Sequence, residues 1–124
     1  MIHKVIIALG TNVDSDRIKI AKDALHEVLT DVRFSQTLAT EALGSKFHGT
    51  QFHNALASGS TTLDAPSIIA LLKSIESQSG DTRELRQQGR VVLDLDLLKH
   101  DATRFHPSDW ERDYVKELMR EIVG

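Results

Sequence analysis

The chain contains no cysteine among its 124 residues, and it has only two prolines, one tryptophan and one tyrosine. Without cysteine it cannot form disulfide bonds, a thiolate zinc site or a cysteine nucleophile. No apolar run approaches the roughly 20 residues that a membrane-spanning helix needs, and the N-terminus shows no signal-peptide cleavage pattern. From these absences we expect a cytoplasmic protein.

Basic residues are not in excess, because 15 lysines and arginines stand against 18 aspartates and glutamates, for a formal net charge of −3. A general nucleic-acid binder or a membrane-surface binder would carry a basic excess, so we expect neither partner. The hydrophobic fraction of 40% and the charged fraction of 27% are typical of an ordinary globular protein. The length fits one domain over residues 1–124.

A glycine-rich phosphate-binding loop is also missing. Gly10 ends a β-branched apolar run over residues 3–9, but no further glycine or lysine follows at the required spacing. The run predicts a first strand. We expect Gly10 to lie in a turn or at a close backbone approach to a ligand.

Hydrophobic periodicity predicts the remaining elements. After the first strand they are a helix from Asp14 or Ser15 to about Leu29, a strand over Val32–Thr40, a loop over 41–50, a strand over Gln51–Thr61, a helix over Ala65–Ser77, a polar arginine-bearing segment over 81–89, a strand over Val91–Leu98, a turn region over 99–104 and a final helix from about Asp109 to Val123. The order β-α-β-β-α-β predicts an α+β, ferredoxin-like split βαβ fold. Its four-stranded antiparallel sheet would carry two helices on one face, with the C-terminal helix added.

Two aspartates interrupt the apolar strand Val91–Leu98. Because side chains alternate along a strand, the intervening leucines would enter the core while Asp94 and Asp96 share the other face, with Cα atoms roughly 6.6 Å apart. Carboxylates so placed repel each other and are unfavourable away from water. Two interpretations follow: a cation lies between them, or that sheet face is solvated, as is common in antiparallel sheets.

Several side chains could converge on the face that carries the carboxylates. They are Phe52 and Asn54 on the third strand, Arg83, Arg86 and Arg90 before the fourth strand, and His106, Arg112 and Tyr114 near the final helix. Carboxylates beside arginines suit polyphosphate chemistry, because a divalent ion bridges carboxylates to phosphate oxygens and arginines balance the charge. Two aspartates are enough for magnesium, whereas zinc would need more protein ligands.

Four motifs, in this order and at about these spacings, resemble those of the 6-hydroxymethyl-7,8-dihydropterin pyrophosphokinase family of folate synthesis. They are Ile7–Asn12, Phe52–Ala55, Leu93–Leu98, and His106–Pro107 followed by Glu111–Val115. The resemblance covers nearly the whole chain and implies a ferredoxin-like fold. It also implies an ATP-dependent transferase that moves the β,γ-pyrophosphoryl group of ATP to the hydroxymethyl oxygen of the pterin and leaves AMP.

The resemblance further implies roles for individual residues. Asp94 and Asp96 match the aspartates that hold two magnesium ions against the triphosphate, and Arg90 is the candidate for a catalytic arginine. The positions that match pterin-contacting groups are Thr40, Ala42, Leu43, Phe52, Asn54 and Tyr114, with Phe52 and Tyr114 as the aromatic pair around the ring. The positions that match groups near ATP are Glu76, Arg83, His106 and Arg112.

The chain departs from the family pattern just before the fourth strand. Gln88 stands at the tryptophan position, Asp81 stands at an arginine position, and a third arginine is either lost to Val91 or displaced to Arg90. Besides the active enzyme, two alternatives therefore stay open: a catalytically impaired pterin- or nucleotide-binding homologue, and a ferredoxin-like interaction domain. The expected partners are ATP and a hydroxymethyl pterin, in a monomer or weak homodimer.

Overall fold

A computed structural model describes residues 1–41 and 51–123. The strands are β1 (His3–Thr11), β2 (Thr30–Phe34), β3 (Leu38–Glu41), β4 (Gln51–Thr61), β5 (Asp94–His100) and β6 (Thr103–Arg104). The helices are α1 (Asp16–Val28), α2 (Ala65–Gln78), α3 (Arg83–Gln87), α4 (Pro107–Trp110) and α5 (Asp113–Val123). Within these ranges, no helix combines the length and the apolar character that crossing a membrane requires.

All strands belong to one antiparallel sheet of order β2-β4-β1-β5-β6, in which β3 also pairs with β4. Strands β2 and β3 correspond to the second predicted strand, β4 to the third and β5 to the fourth. The predicted strands therefore lie in the order second, third, first, fourth, which confirms the predicted ferredoxin-like fold. In the register of this sheet, Gly10 of β1 lies opposite Asn54 of β4 on one side and Asp94 of β5 on the other. We call these three residues the Asn54–Gly10–Asp94 row.

The main core lies between the sheet and helices α1 and α2. The leucines at 93, 95 and 97 are buried there, as the alternation of the fourth strand predicts. Helix α2 begins at Asp64, whose carboxylate accepts the Ser67 N–H at 2.9 Å. A side-chain cap of this kind typically contributes about 1 kcal/mol, so the predicted start of this helix has a local cause.

Helix α5 covers part of the opposite sheet face, although one interpretation of the sequence expected that face to be solvated. The residues that form this second core are Ile6, Leu56, Leu98, Val115, Leu118 and Ile122. The expectation was wrong because β4 and β5 each carry a leucine on that face, beyond Asn54 and Asp96, and these leucines need an apolar cover. Among the residues that the structure describes, none of this second core covers the end of the face that carries the carboxylates.

Two predicted elements are divided in the structure. The second strand is broken between β2 and β3 by Ser35, which donates its N–H to the Leu56 carbonyl at 2.9 Å while its hydroxyl accepts the Leu56 N–H at 2.8 Å. The Ser35 hydroxyl thus replaces a backbone carbonyl as the acceptor for Leu56, and the regular pairing with β4 is interrupted at this residue. The final helix is divided between Trp110 and Asp113 into α4 and α5.

The segment before β5 also differs from the sequence prediction. The polar arginine-bearing segment contains helix α3, whose first turn is capped by the Thr82 hydroxyl accepting the Leu85 N–H at 3.1 Å. The fourth strand begins at Asp94 rather than Val91, and the predicted turn region contains the short strand β6. These changes place Arg86 of α3 beside the start of β5.

Candidate active site

A cavity of about 280 Å³ opens at the uncovered end of the sheet. This volume lies near the lower end of the roughly 300–1,000 Å³ that small-molecule pockets occupy. The cavity is lined by three aspartates (Asp94, Asp96, Asp109), two arginines (Arg86, Arg112), two aromatic residues (Phe52, Tyr114), Asn54, and the smaller or apolar residues Ala8, Leu9, Gly10 and Val91. One wall is therefore aromatic and another is charged.

The floor of the cavity is formed by the smallest side chains of β1, Ala8 and Gly10. A Cβ atom added at Gly10 would lie 3.5 Å from Asn54 Oδ1 and 3.9 Å from Phe52 Cδ1. Both are ordinary van der Waals distances, so the surrounding protein would accept an alanine there. The glycine leaves that space to the cavity, and its position inside β1 excludes the alternative of a turn.

Asn54 is held at the aromatic side of the cavity in a fixed orientation. Its side chain is buried, and its Nδ2 donates to Thr40 Oγ1 at 2.7 Å and to the Phe52 carbonyl at 3.4 Å. A carbonyl can only accept, so this contact fixes Nδ2 on the side of β4 and β3. The amide oxygen then faces Gly10, where it can accept a hydrogen bond from a ring N–H.

Asp94 and Asp96 form the acidic side of the cavity. Burial, followed by the charge of Asp94, raises the pKa of Asp96 to about 8, and the charges of Asp109 and Glu76 add to this effect. Negative charge thus accumulates beyond what the neighbouring cations neutralise. A divalent cation would relieve this repulsion, and two carboxylates with room for water and phosphate oxygens suit magnesium. His106 Nε2 lies 3.9 Å from Asp96 Oδ1 and borders the same pair.

Arg86 is the cation that contacts this acidic side. Its two terminal nitrogens each donate to Asp94 Oδ1 at 3.3 Å, one of them also donates to the Leu93 carbonyl at 3.0 Å, and Nε donates to Asp81 Oδ2 at 2.5 Å. Burial lowers the pKa of Arg86, but the hydrogen bond to Asp81 and the surrounding carboxylates more than offset it, so the net shift is upward. Arg86 therefore stays charged beside Asp94.

Asp81 and Glu76 fix the start of β5 behind Arg86. Asp81 Oδ1 accepts the N–H groups of Val92 at 3.0 Å and Leu93 at 3.4 Å, and Glu76 Oε2 accepts the Leu95 N–H at 2.6 Å. Burial raises the pKa of Glu76, with the charge of Asp94 acting in the same direction. Both acidic residues thus satisfy backbone donors beside the aspartate pair.

The structure separates the remaining predicted residues. Arg112 and Tyr114 line the cavity, with the guanidinium carbon 4.6 Å from the centre of the tyrosine ring, and burial raises the pKa of Tyr114. Arg83 and Arg90 are exposed and do not line it. Leu43, with Ala42, lies outside the described residues.

Two charged residues that line the cavity, Arg86 and Asp109, received no individual role from the family motifs. Arg86 was one of two arginines in the predicted polar segment. The signal that could have singled it out is the Thr82 cap, which starts a helical turn and so brings Arg86 back over Asp81 and towards Asp94. Asp109 was expected only as the start of the final helix, and no sequence signal points it towards the aspartate pair.

Comparison with known proteins identifies relatives of the chain. The sequence model of the 7,8-dihydro-6-hydroxymethylpterin-pyrophosphokinase family matches residues 6–124. The chain is 30% identical over 129 residues to the 2-amino-4-hydroxy-6-hydroxymethyldihydropteridine pyrophosphokinase of Bacillus subtilis (strain 168), covering 94% of this chain and 75% of that protein. It is 29% identical over 137 residues to a mitochondrial folate synthesis bifunctional protein of Arabidopsis thaliana, and 28% identical over 133 residues to one of Pisum sativum.

Those alignments cover 98% of this chain but only 24% and 25% of the two plant proteins, so the chain spans about a quarter of their length. The family match, by contrast, extends from β1 to the end of the last helix. It contains the whole Asn54–Gly10–Asp94 row and every described residue for which the motifs implied a role. The chain belongs to the 7,8-dihydro-6-hydroxymethylpterin-pyrophosphokinase family.

Proposed function

We propose that this chain is an ATP-dependent pyrophosphokinase of folate biosynthesis. It transfers the β,γ-pyrophosphoryl group of ATP to the hydroxymethyl oxygen of 6-hydroxymethyl-7,8-dihydropterin and releases AMP. The observation that carries this proposal is the Asn54–Gly10–Asp94 row, which aligns an amide suited to a heterocycle with a carboxylate suited to a metal-bound polyphosphate. Both lie in one cavity, in a chain of this family.

The pterin lies between Phe52 and Tyr114 and above Gly10. Stacking of a flat ring on aromatic side chains contributes about 0.5–1.5 kcal/mol per pair beyond the burial of area. Asn54 Oδ1 accepts a ring N–H, because Nδ2 is occupied by Thr40 and the Phe52 carbonyl. A ligand without that N–H leaves the buried amide unpaired, which costs about 1–3 kcal/mol and makes the site selective. By family analogy, Leu43 also contacts the pterin.

ATP lies over the acidic side of the same cavity. Asp94 and Asp96 would hold magnesium, two ions by family analogy, which when bound supplies positive charge to the phosphate oxygens. Arg86 and Arg112 line the cavity and offer guanidinium groups to the same oxygens. The chain acts mainly by orientation and electrostatic stabilisation of the in-line displacement.

Four further residues are proposed at the edge of the ATP site. His106 lies beside Asp96, and Glu76 Oε2 lies 3.7 Å from the terminal nitrogen of Arg86 that also contacts Asp94. Arg83 and Arg90 are exposed near α3, so a contact with ATP requires that the long nucleotide extends beyond the cavity. Single alanine variants test these four positions, and the expected result is a rise in the KM for ATP.

The remaining expectations concern the protein as a whole. We propose that residues 1–124 act as one domain in the cytoplasm, where ATP is available, and as a monomer or weak homodimer without a nucleic-acid partner. A single strand order that joins all described strands supports one domain. Analytical ultracentrifugation over a range of concentrations tests the oligomeric state.

The test of the activity is AMP formation from ATP in the presence of magnesium and 6-hydroxymethyl-7,8-dihydropterin. Wild-type protein is expected to form AMP, and Asp94→Asn and Asp96→Asn are each expected to reduce the rate about 10²–10³-fold, as removal of one transition-state contact does elsewhere. Calorimetric titration with the pterin, done in parallel, is expected to show binding in all three proteins, because the aspartates do not hold the ring.

The alternatives give different patterns. A pterin-binding homologue without catalysis would bind the pterin and form no AMP above a protein-free control. An interaction domain would bind neither ligand and would form a dimer at micromolar concentration. Either result, obtained with protein whose circular dichroism shows the expected fold, would reject the proposed activity.

A further inference from the structure

A second group of ligand-capable side chains lies at the opposite end of β1 and β5 from the cavity. His3 begins β1, His100 ends β5, and Asp101 follows at once in the turn towards β6. The antiparallel pairing of the two strands brings them together. One ligand-capable atom from each residue lies within 4.8 Å of the others, and the two imidazole rings are 4.4 Å apart between centres.

One ring nitrogen of each histidine lies within hydrogen-bond distance of an oxygen. His100 Nε2 lies 3.0 Å from the Leu63 carbonyl, and His3 Nδ1 lies 2.6 Å from Asp101 Oδ2. A carbonyl and an ionised carboxylate only accept, so these two ring nitrogens carry the protons. His100 Nδ1 is then available to a metal, and an ion that replaces the proton of His3 Nδ1 would lie beside Asp101 Oδ2. Metal-binding histidines often show the arrangement of His100, in which the second ring nitrogen donates to a carbonyl.

The backbone holds Asp101 rigidly in this cluster. Its φ of 53° lies in the left-handed region, its N–H donates to the Lys4 carbonyl at 2.8 Å, and its Oδ1 accepts the Lys4 N–H at 2.9 Å. Each carboxylate oxygen has a further lone pair for a metal. The Asp101 side chain is 47% exposed and that of His3 19%, so an ion can reach the cluster from solvent.

We propose that His3, His100 and Asp101 bind a transition-metal ion of the zinc class, at a site separate from Asp94 and Asp96. Two imidazoles and one carboxylate are typical zinc ligands, and a water molecule completes the tetrahedron, whereas magnesium prefers oxygen donors alone. Zinc–nitrogen bonds of about 2.0–2.1 Å place ligand atoms roughly 3.4 Å apart. Movements of about 1 Å in the side-chain atoms bring the three ligand atoms to this spacing. The ion joins the start of β1 to the β5–β6 turn.

Calorimetric titration of untagged protein with Zn²⁺, in excess Mg²⁺ and without nucleotide, tests the proposal. Wild type is expected to bind one Zn²⁺, and His3→Ala, His100→Gln and Asp101→Asn are each expected to weaken binding at least tenfold. Glutamine at position 100 can still donate to the Leu63 carbonyl, so this variant keeps the turn. His26→Ala, which removes an exposed histidine on α1, is the matched control and should bind as wild type does.

Each other pattern overturns the proposal. Zinc affinity that falls in an Asp94→Asn/Asp96→Asn double variant but not in the histidine variants places the ion at the active site. Zinc affinity that depends on His3 but survives His100→Gln and Asp101→Asn indicates chelation by the first residues alone. Equal affinity in all variants indicates adventitious surface binding. Co²⁺ substitution adds a second readout, because visible absorption bands of tetrahedral cobalt should appear in wild type and disappear in His100→Gln.

Discussion

Replacement of Arg86 by methionine should destabilise the protein by about 2.5 kcal/mol while strengthening its binding of Mg²⁺. The guanidinium nitrogens lie 3.3 Å from Asp94 Oδ1, where two unit charges attract by about 5 kcal/mol at a dielectric constant of 20 and about 1 kcal/mol in water. Because the Arg86 side chain is 36% exposed, the lower value is the better guide. The charged hydrogen bond to Asp81 adds about 1.5 kcal/mol.

The same substitution removes a cation that competes with Mg²⁺ for Asp94. A lost repulsion of about 1.4 kcal/mol corresponds to about tenfold tighter binding of Mg²⁺. AMP formation should nevertheless fall, because Arg86 no longer offers its guanidinium to the phosphates. Tighter metal binding together with slower turnover is a combination that simple unfolding of the site would not produce.

Urea unfolding followed by circular dichroism measures the stability of the Arg86→Met variant, and calorimetry without nucleotide measures Mg²⁺ binding. Arg86→Lys keeps a charge but loses the planar fork, so its stability should be intermediate. Arg120→Met, at an exposed position on α5, should change neither quantity. An Arg86→Met protein with wild-type unfolding free energy and wild-type Mg²⁺ affinity would refute the role given to the Arg86 contacts.

Three further predictions concern the cavity. In metal-free protein the folded state keeps a proton on Asp96 between the ordinary pKa of 3.8 and the raised pKa of about 8. The free energy of unfolding should therefore fall as the pH rises from about 4 to about 8. Thermal unfolding over this pH range should show the decrease, and Mg²⁺ or Asp96→Asn should remove it. Gly10→Ala should change stability by less than about 0.5 kcal/mol but raise the KM for the pterin about tenfold, the effect of one misplaced methyl group, whereas an unchanged KM would mean that the ring does not lie on the cavity floor. Tyr114→Ala should raise the same KM about tenfold while Tyr114→Phe changes it less than threefold, since the ring and not the hydroxyl stacks on the pterin; equal effects in steady-state kinetics would contradict this.

The fold was predictable because its signals are local. Alternation of leucine and aspartate in β5 assigns each side chain to a face, and Asp64 marks the start of α2. The break at Ser35 was not predictable, because its cause is a pair of hydrogen bonds to Leu56, 21 positions further along the chain. A pattern read over neighbouring residues contains no information about such a partner.

The candidate site likewise has residues that could be predicted from the sequence and residues that could not. Motif residues such as Phe52 and Asn54 could be placed from the strand pattern, and both line the cavity. The role of Arg86 required helix α3, which at five residues is too short for any hydrophobic period. The cover of α5 on Leu56 and Leu98 likewise depends on which elements meet in space, so the open extent of the sheet face could not be predicted from either strand alone.

The Asn54–Gly10–Asp94 row also sets a length. Adjacent strands in a sheet lie about 4.8 Å apart, so the backbone positions proposed to serve the heterocycle and the phosphates are separated by two such steps, roughly 10 Å. That separation is fixed by backbone hydrogen bonds and not by any side chain. In the proposed function, the sheet thus sets the distance between the two substrates. Substitutions in the segment before β5 change the charges around the phosphates, but only a shift in strand register would change the span from ring to phosphate.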